Sequence, residues 1–142
     1  MSKAIHILVV DDDRMTVHLL ERVLRKHGYH VHTAFDGAEG LQKARTLKPD
    51  LIILDIMMPG LDGYQVCYQL HREPETTHIA VLMLTTKGGL DQPQQGGRSL
   101  PLRIKERLHG FDVGAADFIS KPVTAALLLE HVRTLLWSGK QA

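Results

Sequence analysis

Apolar residues fall in short unbroken runs along this chain. Between the runs they recur every three or four positions. Ile5-His6-Ile7-Leu8-Val9-Val10, Leu51-Ile52-Ile53-Leu54 and Ile79-Ala80-Val81-Leu82-Met83-Leu84 are too short for helices and rich in branched side chains. Strands covered by helices on both faces carry such runs. Each run stops at polar groups: Asp11-Asp12-Asp13, Asp55 and Thr85-Thr86. Tyr29-His30-Val31-His32-Thr33-Ala34 alternates instead, as a half-exposed edge strand does. A short fifth strand is read at Asp117-Phe118-Ile119-Ser120, closed by Lys121-Pro122.

Between the strands the period lengthens. Arg14–His27 has helical spacing, with Met15, Leu19, Leu20, Val23 and Leu24 on or near one face. Asp13 is its expected N-cap and Gly28 its C-cap. Asp36-Gly37-Ala38-Glu39 has a capping-box-like spacing and opens a helix from Ala38 to about Leu47, stopped before Pro49. Pro59, Gly60 and Gly63 break any helix after the central strand, and Asp62 then caps one running to about Arg72. Helical spacing returns from Leu102 to about Phe111. It returns again from Val123 to about Trp137, with apolar positions Leu127, Leu128, Val132, Leu135 and Leu136. Trp137 and these leucines read as packing positions.

Five strands alternating with five helices predict a three-layer α/β/α sandwich on a parallel five-stranded sheet, with right-handed crossovers. The rhythm fails once. Gly88–Pro101 holds two Gly-Gly pairs, three Gln and two Pro with no apolar period, which is linker composition. The chain is therefore read as one domain, 1–142, with a flexible insertion at 88–101 between the fourth strand and fourth helix.

Composition narrows the class. The chain has 142 residues, 44% hydrophobic and 23% charged, with a formal net charge of +1. That suits one globular domain and gives no electrostatic case for nucleic acid or anionic membrane as the main partner. Nine His residues make the charge more positive at mildly acid pH. The single Cys67 excludes an internal disulfide and suits a reducing cytoplasm; it reads as a small core hydrophobe. No apolar run approaches membrane-span length. His30 and His32 share one face of the edge strand and read as a solvated face, since no third ligand is in view.

The chemistry converges where strands end. In a parallel sheet the carboxyl ends are neighbours, and ligands bind at that edge. Asp11 and Asp12, Asp55, Thr85 and Lys121 all fall there. Taken singly, an acidic run or a lone Asp is an ordinary helix start, and the combination is what carries the signal. Three partly desolvated carboxylates either keep a proton or hold a cation. Oxygen ligands without Cys or His favour Mg²⁺ or a similar ion such as Mn²⁺. A hydroxyl and an ammonium beside them can hold phosphoryl oxygens, and Asp55 can act as nucleophile in aspartyl-phosphate chemistry.

The residues that carry this chemistry also carry a resemblance. Val9-Val10-Asp11-Asp12-Asp13, Pro49-Asp50-Leu51-Ile52-Ile53-Leu54-Asp55 with Met58-Pro59 and Asp62-Gly63, Leu84-Thr85, Gly114-Ala115 with Asp117, and Lys121-Pro122 resemble the motifs of a bacterial response-regulator receiver domain, chemotaxis regulators included. The match runs from Ile5 to Leu136, with five motifs in order. It implies a flavodoxin-like sheet of order 2-1-3-4-5. It implies that Asp55 accepts a phosphoryl group from a sensor histidine kinase or histidine phosphotransfer protein. Asp11, Asp12, Asp55 and the Met57 backbone carbonyl match the Mg²⁺ ligands. Thr85 and Phe118 match the switch pair, and Lys121 matches the lysine that pairs with the phosphoryl group, with a cis Lys121-Pro122 bond. The surface of the fourth helix, fifth strand and fifth helix would then control a downstream protein, a fused output domain or a phosphorylation-dependent homodimer. Such a cytoplasmic switch turns over no substrate beyond its own phosphotransfer and autodephosphorylation.

Three departures stand out. Phe118 lacks the hydroxyl of the commoner tyrosine, so it can switch only through packing. Thr86 stands where a small alanine is usual, and Gly88–Pro101 lengthens the link to the fourth helix. Met57 and Lys87 occupy the two positions that tune dephosphorylation in the family. Two other readings compete. A haloacid-dehalogenase-like phosphatase would use the Asp-x-Asp of Asp11-Asp12-Asp13, but it leaves the Pro59-Gly60-Leu61-Asp62-Gly63 loop unexplained. A pseudo-receiver would bind partners without phosphorylation, against which the complete acidic, Thr and Lys set argues. No helix-turn-helix or basic stripe supports direct DNA binding.

Overall fold

The computed structural model describes residues 4–85 and 114–141. The 88–101 insertion, the fourth helix read at Leu102–Phe111, Thr86 and Lys87 lie outside the described residues. Five strands form one sheet: β1 (His6–Val10), β2 (His30–Ala34), β3 (Leu51–Asp55), β4 (Ala80–Thr85) and β5 (Asp117–Ser120). All pairings are parallel and the order is β2-β1-β3-β4-β5, as the resemblance implied. The helices are α1 (Arg14–Lys26), α2 (Gly37–Leu47), α3 (Gly63–Arg72) and a final helix, Ala125–Gln141.

The unbroken apolar runs are explained by burial on both faces. Side chains alternate across a strand, so each run feeds two cores. Leu8, Val10, Ile52, Leu54, Val81 and Met83 pack with Leu41 and Ala44 of α2 and Val66 and Leu70 of α3. Ile7, Val9, Leu51, Ile53, Leu82 and Leu84 pack with Val17, Leu20 and Leu24 of α1 and Leu128 and Val132 of the final helix. β2 has one exposed and two half-buried positions, as an edge strand should.

The N-cap residues are those the sequence predicts. The Asp13 carboxylate accepts from the Met15 backbone N–H at 3.2 Å and the Thr16 hydroxyl at 2.7 Å. Asp62 and Gln65 close a reciprocal capping box, each bond 2.9 Å long. At the start of α2 only half the box forms. Asp36 accepts from Glu39 N–H, while Glu39 reaches past the cap to Phe35 N–H. At the end of α1 the expected C-cap is corrected by one residue: the cap is His27, and Gly28 follows it at φ +92°, where a glycine is favoured.

Three packing expectations need correction. Met15 and Leu19 are 81% and 53% exposed, because the stripe that meets the sheet is Val17, Leu20 and Leu24. On the final helix Leu129 is buried and Leu127 is exposed. Trp137 is 65% exposed, five residues past Val132, the last buried residue of that helix among those described. Cys67 is fully buried, and burial pushes its thiol pKa up to about 12, as a core position requires.

Candidate functional site

Parallel pairing brings four strand ends to one edge. Asp55 ends β3, Thr85 ends β4, Asp11 follows β1 and Lys121 follows β5. The sequence-predicted residues meet there. Asp11, Asp55 and Thr85 are buried, while Asp12 is exposed. One oxygen from each of Asp11, Asp12 and Asp55 lies within 4.8 Å of the others. The Asp11 carboxylate is aimed by its own turn, with Oδ1 accepting from Asp13 N–H at 3.0 Å. Lys121 Nζ stands 2.8 Å from Asp11 Oδ2 and 3.4 Å from Asp55 Oδ1. Those two oxygens are buried and receive no well-aligned hydrogen bond, so the contacts are ionic.

Charge does not balance. Burial pushes the Asp55 pKa up to about 7, the Asp11 charge adds to this, and Lys121 opposes it. Burial acts against the Lys121 ammonium, but the contact with Asp11 and the charge of Asp55 outweigh it and hold its pKa above the usual lysine value. One ammonium faces three carboxylates. Two buried oxygens without aligned donors, together with an all-oxygen donor set, fit a small hard cation.

The hydroxyl and the ammonium are tied together through β4 and β5. Thr85 Oγ1 donates to Ser120 Oγ at 3.4 Å, and Lys121 N–H donates to the Thr85 carbonyl at 2.8 Å. Ser120 escaped the sequence reading. Its only signal is a register, Thr85 opposite Ser120, that becomes visible once β4 and β5 pair. Phe118 sits on β5 opposite Met83 and is buried in the core. The Lys121-Pro122 bond is cis. Met57 follows in the β3–α3 loop with its side chain exposed, so any ligand role concerns its backbone alone.

Gly63, the first residue of the helix that Asp62 caps, also makes a close approach that the sequence did not reveal. A Cβ there would stand 2.5 Å from the Asp55 carbonyl oxygen and 2.8 Å from Ile56 Cα. Gly63 N–H donates to Ile56 O at 3.0 Å, and Ile56 N–H donates to Leu84 O at 3.0 Å. The start of α3 is thereby pressed onto the backbone that carries Asp55. Gly60, at φ +79°, makes the turn that allows this return.

A 2-1-3-4-5 sheet with a buried carboxylate cluster at its carboxyl edge is the architecture of a phosphorylation-controlled receiver, and the chain belongs to that family. The family model for the response regulator receiver domain matches residues 7–98. Among individual relatives, the chain is similar to protein PilH of Pseudomonas aeruginosa, 37% identical over 92% of this chain and 96% of that protein. It is 40% identical to response regulator PleD of Caulobacter vibrioides over 91% of this chain but only 25% of PleD. The chain thus spans about a quarter of that longer relative. Its fold matches the signal receiver domain of a signal transduction histidine kinase from Syntrophus aciditrophicus, with TM-score 0.80 and 32% identity over 98% of this chain and 95% of that one.

Membership fixes the coarse biology. Receiver domains of two-component systems bind Mg²⁺ at an acidic pocket, are phosphorylated on Asp and interact with histidine kinases and output domains. They are typically non-enzymatic signalling domains. Among the described residues no helix is long and apolar enough to cross a membrane.

Proposed function

We propose that this chain is a single receiver domain, 1–142, that takes a phosphoryl group onto Asp55 from a histidine kinase or histidine phosphotransfer protein. The observation that supports this most is the buried Asp55 Oδ1, left without an aligned donor 3.4 Å from Lys121 Nζ at an acidic cluster. Asp55 would attack phosphorus as the carboxylate. The O–P bond forms, the P–N bond of the donor breaks, and the departing imidazole takes up a proton. Asp11, Asp12, Asp55 and the Met57 carbonyl would hold Mg²⁺, or Mn²⁺ in its place. The ion would neutralise charge on the phosphoryl oxygens. Lys121 would swing its ammonium from Asp11 and Asp55 toward the new phosphoryl oxygens. Thr85 would exchange its long Ser120 contact for one of those oxygens. Phe118, already buried beside β4, would hold the β4–β5 backbone in the shifted arrangement through packing alone.

The test is intact mass after incubation with acetyl phosphate, with and without Mg²⁺, on wild type and Asp55→Asn. One phosphoryl adduct requiring both Mg²⁺ and Asp55 is expected. Wild type without an adduct, from acetyl phosphate or from a phosphohistidine protein, would favour the pseudo-receiver reading.

A further inference from the structure

We propose that Ser120 is a positioning residue that acts as a resting-state latch: its hydroxyl holds the Thr85 side chain turned away from Asp55 until a phosphoryl group draws it off. The proposal rests on the reading of Asp55 as phosphoryl acceptor, and it gives a role to a residue outside the acidic, Thr and Lys set. β4 lies between β3 and β5 in the sheet. Thr85, the last residue of β4, therefore has the strand that ends in Asp55 on one side. On the other side it has Ser120, its partner in register. The Thr85 hydroxyl takes the β5 side and donates to Ser120 Oγ at 3.4 Å. Among the described residues it has no other hydrogen-bond partner. Thr85 is buried, and a buried hydroxyl left without a partner is costly. Lys121 N–H donates to the Thr85 carbonyl at 2.8 Å, which fixes the end of β5, and Ser120 with it, against Thr85.

The strength of the contact suits a latch. Hydrogen bonds between hydroxyls are mostly about 2.7–2.8 Å long. At 3.4 Å the bond from Thr85 to Ser120 is weak and neutral, but it is already in place. A phosphoryl oxygen is charged, and a charge-assisted hydrogen bond is roughly twice as strong as a neutral one. Thr85 thus stays with Ser120 while Asp55 is bare and leaves it once Asp55 is modified. A threonine side chain is stiff at χ1 and moves between staggered positions, so the choice has two states. Removing the Ser120 hydroxyl raises the energy of the resting state alone and tips the balance toward the Asp55 side. Ser120 also lies two residues past Phe118, on the same face of β5. The latch and the packing residue therefore move with one short strand.

The test uses the whole chain in two conditions. In EDTA, with no phosphoryl mimic present, three-bond NMR couplings to the Thr85 methyl group report its χ1 rotamer. Wild type is expected in one rotamer and Ser120→Ala in a mixture of two. Ser120→Thr, which keeps the hydroxyl, should return to the first. Beryllium fluoride with Mg²⁺, a tetrahedral stand-in for the phosphoryl group, then reads the bias through fluorine NMR. Ser120→Ala should bind it about 2–10-fold more tightly than wild type, the factor set by one net hydrogen bond lost from the resting state. Ser120→Thr should bind it as wild type does. A Thr85 rotamer unchanged in Ser120→Ala would overturn the proposal. So would equal tightening in Ser120→Ala and Ser120→Thr, because the hydroxyl would then not be the cause. Wild type that binds no beryllium fluoride would count against Asp55 as acceptor, and the rotamers, measured without it, would still decide the latch.

Discussion

At the scale of single residues, the site is held in an unfavourable state. Asp55 is buried beside Asp11 with one lysine to share, and its pKa is raised above the ordinary carboxylate value to about 7. A raised pKa means that folding takes up a proton here. Without metal, stability is therefore fullest below the unfolded carboxylate value and falls as pH rises toward about 7. Asn at this position does not titrate. The stability of Asp55→Asn relative to wild type should thus grow by about 2–3 kcal/mol between pH 5 and pH 8, from a shift worth about 1.4 kcal/mol per unit. Urea denaturation in EDTA at the two pH values measures it, and a constant or shrinking gap would contradict the raised Asp55 pKa. Lys121 has the complementary part. Lys121→Ala should still accept some phosphoryl group, because Asp55 remains the nucleophile, but lose the response. Amide exchange in β4 and β5 should then be the same before and after modification; a normal change would refute the role given to Lys121.

At the scale of elements, the strands were legible because burial on both faces leaves an unbroken apolar run that no exposed helix imitates. The caps at Asp13 and Asp62 were legible because one side chain decides them. The faces of α1 and the final helix were less so. The apolar arc of α1 is wider than the stripe it buries, and on the final helix apolar residues run nearly all round, so only contact with the sheet selects Val17 over Met15 and Leu129 over Leu127. Ser120 was not legible, since its place beside Thr85 depends on which strands pair. Gly63 was legible as a glycine but not as a close approach to Asp55 O. Gly63→Ala should cost about 1–3 kcal/mol, the range for overpacking against a fixed backbone, and should slow modification by acetyl phosphate as the Asp55 backbone shifts. A variant as stable and as reactive as wild type would show that α3 can back away. Met15 and Leu19 are exposed on the helix that starts beside the acidic cluster, an apolar patch of the kind that marks protein interaction sites. Leu19→Lys should slow transfer from a phosphohistidine protein and leave the reaction with acetyl phosphate unchanged; equal slowing of both would mean the site itself was disturbed.

At the scale of the whole molecule, the same sheet that buries two cores delivers four side chains from distant parts of the sequence to one edge. Fold and site are thus one consequence of parallel pairing, which is why an ordered set of short motifs carried both. The similarity to PilH runs nearly end to end, whereas PleD is about four times longer than the matched region, so what the switch controls depends on more than this fold. On the proposed function Asp55, and no other carboxylate of the cluster, becomes the acyl phosphate. Borohydride reduces an acyl phosphate to an alcohol and so turns a phosphorylated aspartate into homoserine, which peptide mass spectrometry locates. After phosphorylation in Mg²⁺, homoserine is expected at position 55 alone. Homoserine at position 11 or 13 would instead support a phosphatase-type nucleophile in the first acidic run and contradict the account.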